Sequence, residues 1–230
     1  MQSENKSILN DNRGFTLVEI AIVLIIIGLI LGAVVKGKNI IRGAEQKKVY
    51  TKFLSEWRTA YLNFYDRTGI VLGDTYDIST ASVGQDGQAD TAAGAAGAPS
   101  AAGQEDLTTG DAGTPPLYLG LNHVGIDPPV TNLSNNYEYR YTDSQGGNHI
   151  LTIAFVYEPA AGSTYNYMWI TGIPNELAMA IDNLVDGSID GADGDFINAT
   201  IADNQPTGVA WGTNDASPTV ETIARWKMEF

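Results

Sequence analysis

Hydrophobic positions fall into three regimes along the chain. From Phe15 to Val35, "FTLVEIAIVLIIIGLILGAVV", 21 positions carry a single charge, Glu19. At ~1.5 Å per residue a helix of this length spans about 30 Å, the thickness of bilayer hydrocarbon. Further on, Tyr50, Leu54, Trp57, Tyr61 and Phe64 recur at spacings of 4, 3, 4 and 3. That period places them on one stripe of a helix. No proline interrupts Phe15 to Asp66, so the pattern predicts one helix of roughly 50 residues, about 75 Å long. Residues 15–35 are apolar all round, residues 36–66 are amphipathic, and Gly69 is the predicted C-terminal stop.

The third regime is a change of period. "YEYRYT" (Tyr137–Thr142) alternates aromatic and polar side chains, and "DSQGGN" is a turn cluster. "HILTIAFVYE" (His149–Glu158) and "YNYMWITGI" (Tyr165–Ile173) are rich in β-formers. These predict three neighbouring antiparallel strands. "PNELAMAIDNLVDG" (Pro174–Gly187) returns to helical spacing at Leu177, Ile181 and Leu184, and the C-terminal "TVETIARWKMEF" is a further strand candidate. Between the long helix and the strands, residues 81–113 are just over half Ala and Gly, with Val83 and Leu107 the only large aliphatics. That composition predicts a flexible surface loop. The fold class is therefore α+β: a long N-terminal helix whose amphipathic half covers a small antiparallel sheet within residues 67–230. The aromatic side chains of "YNYMWITGI" are expected to pack on that helix.

Composition narrows the chemistry. With 230 residues, 43% of them hydrophobic, the chain has material for one substantial core plus an appendage. It has no cysteine, which excludes disulfides, a thiolate nucleophile and cysteine metal sites. The net charge of −14 is unevenly placed. Phe15 to Trp57 holds six basic and three acidic residues, whereas from Asp66 onward 22 acids face Arg67, Arg140, Arg225 and Lys227. Nucleic-acid binding by the acidic part is not expected, because phosphate recognition needs a cationic surface. The two histidines, His123 and His149, fall on different predicted elements and read as surface or packing residues. No Ser-His-Asp spacing, paired-carboxylate motif or phosphate loop is visible, so no catalytic residues are assigned and the chain does not read as an enzyme.

Glu19 poses the sharpest question. A charged side chain at a bilayer centre costs roughly 2.5–3.5 kcal/mol on insertion scales and is rarely without a partner. Its surroundings carry a resemblance. A short polar leader ends in Arg13-Gly14, followed by Phe15, Thr16-Leu17-Val18-Glu19 and an unbroken apolar run. This stretch resembles the prepilin N-terminus shared by type IV pilins and the pseudopilins of type II secretion systems. The resemblance covers about 35 residues. It implies a pilin-like fold, a leader of residues 1–14, cleavage between Gly14 and Phe15 by a membrane prepilin peptidase, and N-methylation of Phe15. It also implies that Glu19 meets the Phe15 amine during assembly. Cleavage creates that amine where the first helical N–H groups also lack partners and the helix dipole is positive. Residues 15 and 19 lie on neighbouring parts of one face, so the pair can form within a chain or between chains.

The implied function is a structural subunit of a type IV pilus-like filament. The implied partners are other copies of the chain, the peptidase, an inner-membrane assembly platform and membrane lipid. The alternatives are a pseudopilin of a type II secretion system, or a membrane-anchored binding protein that never polymerises. The resemblance places the precursor in the bacterial inner membrane with the head outside the cytoplasm. The charge count disagrees: Lys36, Lys38, Arg42, Lys47 and Lys48 follow the span and only Lys6 and Arg13 precede it. Read alone, the positive-inside rule would leave the head in the cytoplasm. The chain also departs from the family in lacking a proline one turn after the apolar run, where Lys36 and Gly37 stand, and in lacking a C-terminal disulfide.

One further stretch, "DNLVDGSIDGADGDF", places Asp182, Asp186, Asp190, Asp193 and Asp195 within fourteen residues. Some pseudopilins hold a C-terminal loop with calcium, which takes six to eight oxygen ligands. Asp186, Asp190, Asp193 and Asp195 are the candidate ligands, and Ca2+ the one cofactor suggested. The spacing does not match an EF-hand, and Asp-Gly pairs also make tight turns without metal.

Overall fold

The computed structural model describes residues 15–74, 87, 89, 120–160, 163–199, 210–212 and 218–229. The leader and most of the Ala/Gly-rich segment expected to be flexible lie outside these residues. The chain divides into two compact units, residues 1–43 and 44–230.

In the first unit the described residues are helical from Leu17 onward, as part of α1 (Leu17–Val49). Their apolar side chains are exposed along the whole run, with Leu17 at 90% and Leu29 at 72%. Such a surface is stable only in an apolar medium or against other apolar surfaces.

The second unit holds the core. α1 passes through a five-residue π turn (Tyr50–Leu54) into α2 (Ser55–Thr68). The Ser55 N–H donates to the Tyr50 carbonyl, the i→i+5 step of a π turn. Thr51 Oγ1 donates to the Lys47 carbonyl at 2.9 Å, in the turn where the ladder changes step. The extra residue moves the stripe round the helix, so the buried positions are Val49, Phe53, Leu54, Trp57, Ala60, Tyr61 and Phe64. The helix ends where predicted. Gly69, at φ 72°, occupies the left-handed cap position and donates to the Tyr65 carbonyl at 2.7 Å.

Five strands form one antiparallel sheet: β1 (Glu138–Thr142), β2 (Asn148–Ala160), β3 (Ser163–Pro174), β4 (Phe196–Asn198) and β5 (Glu221–Lys227), in the order β1-β2-β3-β5-β4. The three central predictions and the C-terminal strand are present; β4 is an addition. Phe155, Met168, Trp226 and Phe196 stand opposite one another across four strands and are all buried. α2 packs on this row, with Tyr61 4.8 Å and Trp57 6.3 Å from the Phe155 ring. α3 (Asn175–Val185) adds Leu177, Ala178 and Ile181 to the same core. Ile170 and Ile173 both face it, although they stand three positions apart, an odd step along a strand. A break in the β3–β5 register makes this possible, and Gly172 sits there at φ 69°. A Cβ at Gly172 would lie 2.2 Å from the Ile150 carbonyl oxygen, so only glycine fits.

The aromatics of β3 correct one expectation. Tyr167 and Trp169 do not pack on the long helix. Side chains alternate along a strand, and Met168 and Ile170 take the helix side. Tyr167 and Trp169 belong to a second buried cluster with Ala154 and Val156. The Arg225 guanidinium lies 5.6 Å from the Tyr167 ring and 5.9 Å from the Trp169 ring.

Both outer strands have their free edges occupied. The Asn132 side chain accepts from the Arg140 N–H and donates to the Arg140 carbonyl, both at 2.8 Å, as a neighbouring strand would. On β4, Phe196 N–H donates to Asp186 and Asn198 N–H to the Gly191 carbonyl. A sheet closed in this way offers little template for adding another strand. Within the segment expected to be flexible, Gly87 and Ala89 are described. Ala89 is buried, and its carbonyl accepts from Tyr157 N–H at 3.0 Å, while Asn166 bonds Gly87 and Ala89 together.

Candidate functional site

The functional segment is built at the start of α1. Phe15 is 83% exposed, and Gly14 lies outside the described residues. Thr16 and Glu19 cap the helix reciprocally. Thr16 N–H donates to Glu19 Oε2 at 2.8 Å, and Thr16 Oγ1 donates to the same oxygen at 2.9 Å. In return Glu19 N–H donates to Thr16 Oγ1 at 3.2 Å. This is a capping box, in which Ser/Thr and a Glu three residues on satisfy each other's N–H groups. The signal, Thr16-x-x-Glu19, stands in the sequence, and the one carboxylate of the apolar run is also the cap of its helix.

Among the described residues, one helix, the run from Leu17 to Thr68, is long and apolar enough to cross a membrane. A single apolar helix bearing one carboxylate near its start, attached to an α+β unit with a five-stranded antiparallel sheet, defines a pilin-like architecture. Residues 9–35 match the prokaryotic N-terminal methylation motif. The chain thus carries the prepilin-type signal of type IV pilins and pseudopilins. No curated protein and no solved structure matches it. The motif and the exposed apolar helix fit a membrane-anchored precursor and a structural subunit rather than an enzyme.

The aspartates after α3 shape their own loop. Asp182, fully buried, accepts from the N–H groups of Asp190 and Gly191 and from the Trp211 indole, all through Oδ2. Burial pushes its carboxyl above the usual range, and those three donors oppose the shift. Asp186 accepts from Asp195 N–H at 3.1 Å and Phe196 N–H at 2.9 Å. Asp190 accepts from Asp193 N–H, the Ser188 hydroxyl and Ala192 N–H, which hold its carboxyl below the usual range. Asp193 and Asp195 contribute backbone N–H groups to these bonds. Among the described residues, no three or more His, Asp or Glu side chains are grouped so as to hold a metal ion. Asp186→Ala orphans the part-buried Phe196 N–H, and leaving such a donor unmade costs about 1–3 kcal/mol. A loss of that order, about 1–3 kcal/mol, is expected by chemical denaturation.

His149 is neither a surface nor a simple packing residue. It is buried on β2 between two carboxylates, with Nδ1 2.8 Å from Glu221 and Nε2 2.9 Å from Asp143. Asp143 also accepts from Gln145 and Gly147 N–H and so closes the β1–β2 turn. Burial alone would push the imidazole down, but hydrogen bonding to Asp143 and Glu221 outweighs it, and the net shift is upward from 6.5. Asp143 moves down from 3.8, chiefly through its bond to His149. The raised histidine stabilises the fold fully below 6.5 and loses that contribution as pH rises through its folded value. The lowered aspartate stabilises above 3.8 and loses its contribution as pH falls through its folded value. Melting temperature is therefore expected to be highest between those limits. His149→Gln should flatten the alkaline decline, measured by thermal denaturation across pH.

Proposed function

We propose that this chain is the structural subunit of a type IV pilus-like filament, cut between Gly14 and Phe15 and polymerised through its N-terminal helix. The observation that carries this reading is the exposed apolar surface of residues 15–35, joined to the prepilin-type motif. Inside the bilayer that face is solvated by lipid. In a filament the same face packs against other copies and buries area that one chain cannot bury alone. The Glu19 carboxylate then meets the Phe15 amine of a neighbour, an ion pair that fixes the stagger between subunits. A prepilin peptidase and an inner-membrane assembly platform supply processing and extrusion. The precursor sits in the inner membrane with residues 67–230 outside the cytoplasm. The sheet edges support assembly through the helix, since bonds at Arg140 of β1 and at Phe196 and Asn198 of β4 already occupy part of each edge.

Intact-mass measurement on subunits sheared from the cell surface tests the proposal. The expected species begins at a methylated Phe15. Subunits that retain residues 1–14, or a chain absent from the sheared fraction while present in membranes, would overturn it.

A further inference from the structure

We propose that His149 is a proton-operated latch on the start of β5: with its proton it ties Glu221 to Asp143 of the β1–β2 turn, and on losing the proton it releases Glu221 and keeps Asp143. The two ring nitrogens face one carboxylate each, Nδ1 to Glu221 at 2.8 Å and Nε2 to Asp143 at 2.9 Å. A carboxylate accepts and does not donate, so both nitrogens must carry protons for both bonds to exist. The neutral ring has one N–H and serves only one of the two acids. Exposure and bonding decide which. The Asp143 side chain is 4% exposed and also accepts from the Gln145 and Gly147 N–H groups at 2.8 and 2.7 Å. The Glu221 side chain is 54% exposed and makes no other bond among the described residues. Water replaces the ring at Glu221 with little loss, whereas Asp143 without the ring would leave a buried acceptor short of a bond.

The release acts on a weakly held end. β3 and β5 break register between Ile170 and Ile173, and past the break only Ile173 with Thr222 and Pro174 with Glu221 are paired. Proline has no N–H to give to that ladder. The first two N–H groups of α3 complete the corner, Asn175 donating to the Val220 carbonyl at 3.0 Å and Glu176 to the Pro218 carbonyl at 2.8 Å. Two further titratable side chains bond into it: Tyr141, opposite His149 on β1, and Glu176 on α3. Tyr141 donates to Glu176 Oε1 at 3.1 Å, and the same oxygen accepts the Ser144 N–H at 2.9 Å. From α1 the uncharged Gln46 donates to the Glu176 carbonyl. Asp143, Glu176 and Glu221 thus gather at one corner with His149. Once the imidazolium is neutral, repulsion among these acids adds to the release of the most exposed of them. Residues 218–222 and the first turn of α3 are closed on each other while His149 is charged, and part when it is not.

The test uses the full-length chain in phospholipid nanodiscs. Nitrogen NMR of histidine-labelled chain, assigned with His123→Gln, follows both ring nitrogens of His149 against pH. Hydrogen exchange by mass spectrometry, divided by the intrinsic rate at each pH, follows the turn that holds the Gln145 and Gly147 amides and the helix start that holds those of Asn175 and Glu176. At pH below 6.5 both His149 nitrogens are expected to carry protons. As the ring loses its proton, protection at Asn175 and Glu176 is expected to fall about tenfold, the ratio given by one charge-assisted bond, with protection at Gln145 and Gly147 unchanged. Glu221→Gln is expected to hold Asn175 and Glu176 closed throughout, because an amide accepts from the charged ring and donates to the neutral one. A single protonated nitrogen below pH 6.5 would overturn the proposal. So would protection lost at the turn instead of the helix start, an equal fall in both, or no change in either. A Glu221→Gln chain that opens with pH as the wild type does would overturn it as well, and if that variant does not fold, the wild-type exchange decides alone.

Discussion

Glu19→Ala is expected to leave the chain in the membrane and remove it from filaments. Insertion does not suffer, because taking a carboxylate out of an apolar span removes a cost of roughly 2.5–3.5 kcal/mol. Assembly suffers because the neighbour's Phe15 amine enters the filament core without its counter-ion. Breaking a buried pair by removing one partner costs about 3–5 kcal/mol. At 1.4 kcal/mol per factor of ten, that lowers the equilibrium for adding each subunit by a factor of about 100 or more. The measurement is the ratio of sheared to membrane-bound subunit by immunoblot. A ratio equal to that of the wild type would end the ion-pair account of assembly, whatever the fate of the filament reading itself.

The second large effect lies in the core of residues 44–230. Trp57→Ala is expected to destabilise that unit by about 3–5 kcal/mol, the range for truncating a buried large aromatic. Trp57 is fully buried, meets the Phe155 ring at a tilt of 59°, and its indole donates to the Asn136 carbonyl at 2.9 Å. Truncation leaves a cavity between α2 and the sheet and also removes the donor that fixes the approach to β1. One turn along the same face, Tyr61→Phe is expected to act in the opposite direction. The Tyr61 hydroxyl is buried with no hydrogen-bond partner among the described residues, and burial pushes its ionisation up. Removing an unsatisfied polar atom while keeping the ring should stabilise by about 1 kcal/mol. Denaturant unfolding of the two variants, followed by tryptophan fluorescence and circular dichroism, checks both signs. A Tyr61→Phe variant less stable than the wild type would mean that the hydroxyl is satisfied in solution.

The long helix and most of the sheet were legible in the chain because each follows from a local rule. An apolar run followed by an amphipathic stripe, with no proline in either, forces a helix from Leu17 to Thr68, and alternation with turn clusters forces β1, β2 and β3. The π turn was not legible. It adds one residue to the helix to bring Phe53 and Leu54 together onto the sheet, a demand that arises only once the sheet is in place. The three-residue β4 was missed for a similar reason: it exists because β5 offers it an edge and Asp186 caps its first N–H. The side taken by the β3 aromatics depends on register, and a shift of one residue would have put Tyr167 and Trp169 on the helix.

The candidate residues divide along the same line. By itself the sequence determined the N-terminal methylation motif over residues 9–35, with the carboxylate at Glu19 and the apolar run that follows, because these are read from their order along the chain. Only the tertiary structure decided what the acids and histidines of the head do. Asp186, Asp190, Asp193 and Asp195 read along the chain as candidate calcium ligands; in the fold Asp186 and Asp190 accept from the loop's own N–H groups, and Asp193 and Asp195 supply backbone N–H groups to those bonds. His149 reads as an ordinary strand residue until β5 brings Glu221 to within 2.8 Å of one ring nitrogen while the β1–β2 turn brings Asp143 to the other. The physical reason is range. A helix start is set by groups three and four residues apart, whereas the partners of a buried charge come from wherever the fold closes around it.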